Sequence, residues 1–182
     1  VVSLYQHQRD ALEKAKGRNL ALFHECGCGK TLTALKIIEY HKHRLAGRWN
    51  GALVVCPLSI IEAAWMEDCR TFTPHLSAVS LWGRNPAERI RRLRESHDLY
   101  LVNFETFKTL FAEIQAKGFD VLVVDESSKM KSQDSQTTRA LLALAGVPSR
   151  GRGVKFPVGS VVPHRYILSG TPAWAGESPT EQ

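Results

Sequence analysis

An α/β domain, with helices on both faces of a mostly parallel sheet, is predicted from three features of the sequence. Short apolar runs alternate with amphipathic stretches along its length. The first apolar run passes through a glycine-bearing turn directly into a helical pattern. The most uniformly apolar run, Val121-Leu-Val-Val124, has the composition of a central strand covered on both faces. With 182 residues, the chain is expected to be one such domain, 1–182, too short for a second of equal size.

The elements follow in order. Residues 4–16 read as a helix with Leu4, His7, Ala11, Leu12 and Ala15 near one face. Residues 19–24 read as a buried strand, and a helix runs from Lys30 to about Leu45. Residues 52–56 form a second strand, stopped by Pro57. Ser59 is expected to cap the helix that continues to about Phe72, because Glu62 stands at the capping-box spacing. Residues 76–81 are a weaker strand signal. Asn85-Pro86 fits an N-cap followed by proline at the first helical position, opening a helix to about Glu95. A strand is expected over 99–103, a helix over 105–117, the central strand over 121–124, a helix over 136–145 and a last strand over 166–168. Residues 146–164, rich in Gly, Pro, Arg and Val without a period, read as a long basic loop.

Bulk properties narrow the classes of function. A hydrophobic fraction of 43% supports a packed core. No apolar run approaches the ~20 residues of a membrane span, and the N-terminus lacks the pattern of a signal peptide. The chain has no initiator Met and is read as a fragment of a longer protein. Cys26, Cys28, Cys56 and Cys69 do not make a disulfide framework, and the one-residue gap in Cys26-Gly-Cys28 is too short for the usual zinc pair. Free thiols point to a reducing interior, the cytoplasm or the nucleoid or nucleus. A formal net charge of +6 favours anionic partners such as nucleic acid, although many basic domains bind nothing acidic.

The sharpest chemical signal is His24-Glu-Cys-Gly-Cys-Gly-Lys-Thr31. Phosphate oxygens need several backbone N–H groups converging from one side. Gly27 and Gly29 permit the backbone angles and the close approach, with Cys28 between them in the loop. The helix from Lys30 adds its N-terminal partial positive charge. Lys30 is placed to reach the β- and γ-phosphates of a bound ATP, and Thr31 to offer its hydroxyl to Mg2+. The strict pattern has Gly where this chain has His24. The partner signal is Asp125-Glu126 at the end of the most apolar strand, the edge where open α/β sheets bind ligands. Asp125 can hold Mg2+ through its water shell, and Glu126 can orient or deprotonate the attacking water.

Six segments in order resemble the Snf-type branch of the superfamily 2 helicase-like ATPases. Leu4-Tyr-Gln-His-Gln8 is similar to the family's adenine-recognising glutamine segment, and Glu25 to Thr31 to its phosphate loop. Leu53-Val-Val-Cys-Pro57 with Trp65, and Tyr100-Leu-Val-Asn-Phe-Glu-Thr106, resemble the next two motifs. Asp125-Glu-Ser-Ser128 with Lys131 resembles the DEAH-type box, and Leu168-Ser-Gly-Thr-Pro172 the motif that closes the first lobe. The resemblance implies a three-layer RecA-like P-loop lobe. It implies adenine contact by Gln8 and catalysis by Lys30, Asp125 and Glu126. Ser128, Ser169 and Thr171 would couple nucleotide state to grip, and Pro57, Asn103 and Thr106 would lie near the nucleic-acid backbone. It favours translocation on double-stranded DNA over strand separation, with a second RecA-like lobe as partner. Ser128 departs from the family's His or Asp, so its link to the last motif uses a shorter side chain. The sequence stops ten residues after Pro172, short of a second lobe with its arginine fingers. The lobe alone is therefore expected to hydrolyse ATP barely at all.

Other features keep two readings each. Arg84, Arg89, Arg91, Arg92 and Arg94 are a phosphate-contacting patch or a solvated helix face. Lys129 and Lys131 are family matches or loop charges, and Arg150, Arg152 and Lys155 nucleic-acid contacts or solubilising charge. Trp65, at helical spacing from Ile61 and Cys69, reads as core rather than a base-stacking platform. Two rival functions remain: a P-loop NTPase or kinase acting on a small molecule, and a non-catalytic nucleic-acid-binding module.

Overall fold

The computed structural model describes residues 3–23, 27–126, 136–147 and 160–170. The expectations placed on His24, Glu25, Cys26, Ser128, Lys129, Lys131, Arg150, Arg152, Lys155, Thr171 and Pro172, and on 148–159 of the basic loop, lie outside these residues.

Six parallel strands form one sheet: β1 (Leu20–Phe23), β2 (Ala52–Cys56), β3 (Ala78–Ser80), β4 (Leu99–Asn103), β5 (Val121–Asp125) and β6 (His164–Ser169). Their order is β1-β6-β5-β2-β4-β3. The chain thus steps outward from β1 through β2 to β3, then returns through β4 and β5 to β6. Right-handed crossovers put the helices of the two runs on opposite faces. On the first face lie α1 (Gln6–Ala15), α2 (Lys30–Arg44), and α3 (Leu58–Ile60) and α4 (Glu67–Phe72), joined by a π-helical stretch over Ile61–Met66. On the second lie α5 (Pro86–Arg94), α6 (Phe104–Thr109), α7 (Phe111–Lys117) and α8 (Gln136–Leu144). Alternate residues of the central strands feed two separate cores. Val54, Leu101 and Val123 pack on the first face; Val55, Val102 and Val124 pack on the second.

The strands over 52–56 and 99–103, the central strand and the helix opened by Asn85-Pro86 stand where the sequence puts them. Asn85 caps α5 with its side-chain oxygen, accepting from the Ala87 N–H at 2.9 Å. Four expectations are corrected. His7 is exposed, and Gln8 takes the buried place on α1. β1 is an edge of the described sheet rather than a buried strand: Leu22 is buried, but Phe23, on the other face, keeps half its surface exposed. Ser59 caps nothing, since Pro57 is already the N-cap, with proline's φ near −60° matching the entry to α3. The helix expected over 105–117 breaks at Leu110, whose φ of −105° and ψ of 15° end α6 and turn the chain into α7.

Candidate functional site

Because all six strands are parallel, their carboxyl ends share one edge of the sheet. That edge collects Phe23 before the glycine loop, Cys56-Pro57, Asn103, Asp125-Glu126 and Ser169-Gly170. β6 lies between β1 and β5, with Ser169 paired to Phe23 and Leu168 to Asp125. The glycine loop and the carboxylate pair are therefore two strand spacings apart, about 10 Å, with Ser169 between them.

The described part of the loop has the backbone the sequence requires. Gly27 and Gly29 have φ of 84° and 69°, in the region glycine enters without strain. Gly29 is the N-cap of α2, which starts at Lys30, and the partial positive charge of a helix N-terminus suits an anion. Gln8 locks this corner from below. Its Oε1 accepts the Tyr5 N–H at 2.9 Å, and its Nε2 donates to Gly29 O at 3.3 Å. Those two bonds use one N–H and one lone pair of the carboxamide. A cleft of about 400 Å³ opens here, lined by Tyr5, Gln8, Gly29, Leu32, Asp68 and Phe72. His7 adds a contact to Cys28 O at 3.1 Å, and its ring stacks against Tyr5.

Asp125 is 6% exposed. Burial raises its pKa above the ordinary carboxylate value. The Trp65 indole and the Glu126 backbone N–H pull it back down; the Glu126 carboxylate raises it and the Lys30 ammonium lowers it. Lys30 and Asp125 thus act on each other electrostatically across the edge. The oxygens of Asp125 and the half-buried Thr31 hydroxyl suit a hard divalent cation, whose charge would hold a buried carboxylate ionised. Glu126 has φ of 52°, the one described non-glycine residue in the left-handed region. Such strain survives where surrounding structure enforces it, most often at functional sites. Cys56 lies beside the pair: burial first, then Asp125 and Glu126, push its thiol well above the ordinary value, so it stays neutral.

On the side expected to face nucleic acid, Asn103 is half-buried at the end of β4, whereas Pro57 and Thr106 are buried. A backbone contact by Pro57 or Thr106 therefore needs the surface around them rather than their own side chains. Of the arginines around α5, Arg89 donates to Gly83 O, and Arg92 to the carbonyls of Ser80 and Trp82. Those two hold the loop after β3 onto α5.

Three features escaped sequence reasoning. The Trp65 indole N–H donates to Asp125 Oδ2 at 2.9 Å, so this fully buried ring is core and also part of the site. Asp68 enters the cleft from α4, with its pKa raised by burial and by Glu67. On the opposite edge of the sheet, His41 of α2 is buried. Its Nε2 lies 2.7 Å from the Tyr166 hydroxyl, which donates to Ala15 O at 3.1 Å, and His164 stacks on it at 4.0 Å. The family glutamine and phosphate motifs were visible as local strings; the Trp65–Asp125 and His41–Tyr166 pairings join residues 60 and 125 positions apart, and Asp68 meets the cleft from a separate element, so none leaves a local pattern.

A family model described as the SNF2-related domain matches residues 5–150. The chain is 30% identical over 156 residues to a mouse protein named chromodomain-helicase-DNA-binding protein 1-like, covering 81% of this chain and 15% of that protein. It is 30% identical over 131 residues to the ISWI chromatin-remodeling complex ATPase CHR11 of Arabidopsis thaliana, covering 69% and 12%. A Caenorhabditis elegans homologue of the SWI/SNF-related actin-dependent chromatin regulator A-like protein 1 is 24% identical over 172 residues, covering 93% and 22%. The chain thus spans under a quarter of the length of each of these relatives. In fold it is similar to the Sulfolobus solfataricus SWI2/SNF2 ATPase core in complex with dsDNA. The TM-score is 0.72 and the identity 20%, with 94% of this chain and 32% of that one covered.

Proposed function

The chain belongs to the SNF2-related domain family, and from that premise we propose that it is the nucleotide-binding first lobe of an ATPase that translocates on double-stranded DNA. The observation that carries this reading is the shared edge: the Lys30 loop and the Asp125–Glu126 pair flank Ser169 at the ends of three adjacent strands. In this reading Gln8 presents its remaining carboxamide groups to adenine, and Gly27, Cys28 and Gly29 cradle phosphate with backbone N–H groups. Lys30 neutralises the β- and γ-phosphates. Thr31 and Asp125 would hold Mg2+, which would supply positive charge to offset that of the phosphates. Glu126 orients the attacking water and takes its proton. Ser169, which is buried, would sense whether the γ-phosphate is present, and Ser128 and Thr171 would complete that coupling.

DNA enters at the same edge beyond Pro57, Asn103 and Thr106, and a second RecA-like lobe closes on the nucleotide from the opposite side. The names of the chromatin-remodelling relatives support DNA over RNA. Free Cys28, Cys56 and Cys69 suit a reducing compartment, the cytoplasm or the nucleoid or nucleus.

The test is ATP turnover by the full-length protein with duplex DNA, single strands or RNA, each beside Lys30→Ala. Duplex DNA is expected to stimulate turnover most, and the variant to abolish it. Turnover indifferent to every nucleic acid would overturn the reading in favour of a P-loop kinase acting on a small molecule.

A further inference from the structure

Trp65 makes a contact that packing alone does not require. Its ring is fully buried in the core on the first face of the sheet. An indole carries one N–H and needs one acceptor, for which a backbone carbonyl is sufficient. Here the acceptor is a carboxylate oxygen, Asp125 Oδ2, at 2.9 Å. The other oxygen, Oδ1, accepts the Glu126 N–H at 2.8 Å. Two bonds from two different elements fix the plane of the carboxylate, and each oxygen keeps lone-pair capacity for a further partner. The donor sits in the π-helical stretch over Ile61–Met66, a wide turn of a kind that recurs at functional sites. That stretch continues the helix whose N-cap is Pro57, at the end of β2.

We propose that Trp65 is a positioning residue for the Asp125 carboxylate, so that the helical stretch beginning at Pro57 sets how Asp125 is presented to the metal. The proposal rests on the reading of Asp125 as a metal-side carboxylate. It makes the turn after β2, next to the expected DNA path, the element through which a shift of that helix alters metal affinity.

The test uses the full-length protein as wild type, Trp65→Phe, Trp65→3-benzothienylalanine and Asp125→Asn. The benzothienyl ring keeps the shape of indole and lacks the N–H, so it decides the matter if Trp65→Phe fails to fold. Mn2+ affinity of the ADP complex is read from the EPR signal of the free ion, and ADP affinity without metal by competition with a fluorescent nucleotide. The Mg2+ dependence of turnover follows. Losing one hydrogen bond to a charged group is expected to weaken Mn2+ binding about tenfold. ADP affinity without metal stays within about twofold, because the Gln8–Gly29 corner is untouched, and half-saturating Mg2+ for turnover rises in step. A benzothienyl variant with wild-type Mn2+ affinity, while Asp125→Asn loses it, overturns the proposal and leaves the metal-site reading standing. Unchanged Mn2+ affinity in Asp125→Asn itself removes that reading, and the proposal with it.

Discussion

The buried His41 predicts an acid-sensitive fold. Burial first, then the nearby charges of His164 and Arg44, lower its pKa from 6.5 to about 4. The neutral ring accepts no partner at Nδ1 among the described residues, and its Nε2 side meets the Tyr166 hydroxyl. An imidazolium there would need a second acceptor that the site does not offer. Because the folded pKa is depressed, the unfolded chain binds more protons between pH 6.5 and 4, so stability falls as pH falls through that window. The full difference corresponds to about 3 kcal/mol, and at pH 5, where the unfolded histidine is almost fully protonated and the folded one about a tenth, ~2 kcal/mol is already lost. His164, also lowered by burial and by Arg44, adds in the same direction. His41→Phe keeps a ring against His164 but cannot take the proton. It is expected to lose about 1 kcal/mol at pH 7.5, from the hydrogen bond to Tyr166, and to be more stable than wild type at pH 5. Urea unfolding followed by circular dichroism at both pH values measures the crossing. Equal pH slopes in the two proteins would show that another group controls acid stability.

The remaining predictions address single contacts. In Gly29→Ala the added Cβ falls 2.4 Å from Gln8 Nε2 at a φ of 69°. Displacing the Gln8 carboxamide and forcing alanine into the left-handed region cost about 1–2 kcal/mol each in folding stability; with Gln8 and the start of α2 moved, ADP affinity measured calorimetrically should also fall, and undiminished affinity would mean the corner does not hold nucleotide. Asn85→Ala removes the cap of α5 and should cost about 1 kcal/mol in urea unfolding, with no change in ADP affinity. Turnover by residues 1–182 alone should lie ~10³-fold or more below that of a protein carrying a second RecA-like lobe, because arginine fingers contribute on that scale; comparable rates would mean this lobe holds all it needs.

The strand boundaries at Ala52–Cys56 and Leu99–Asn103, the Asn85 cap and the Lys30 start of α2 were legible because each depends on a few consecutive residues: an apolar run, an Asn-Pro pair, a glycine at positive φ. The candidate-site strings are local for the same reason, since a glycine loop is built from neighbouring N–H groups and a strand end carries its own carboxylates. The misreadings also follow from local logic. Ser59 and Glu62 have capping spacing, but Pro57 opens the helix two residues earlier, and the amphipathic 105–117 stretch conceals a turn at Leu110.

Strand order belongs to the tertiary structure alone. It makes β1 an exposed edge, places Ser169 between Lys30 and Asp125, and brings Trp65 to Asp125 across 60 positions and His41 to Tyr166 across 125. Helix and strand periods record which face of an element is apolar, and nothing in them records which neighbour will cover it. That choice is made when right-handed crossovers close the sheet and each buried polar group must find its partner from another element.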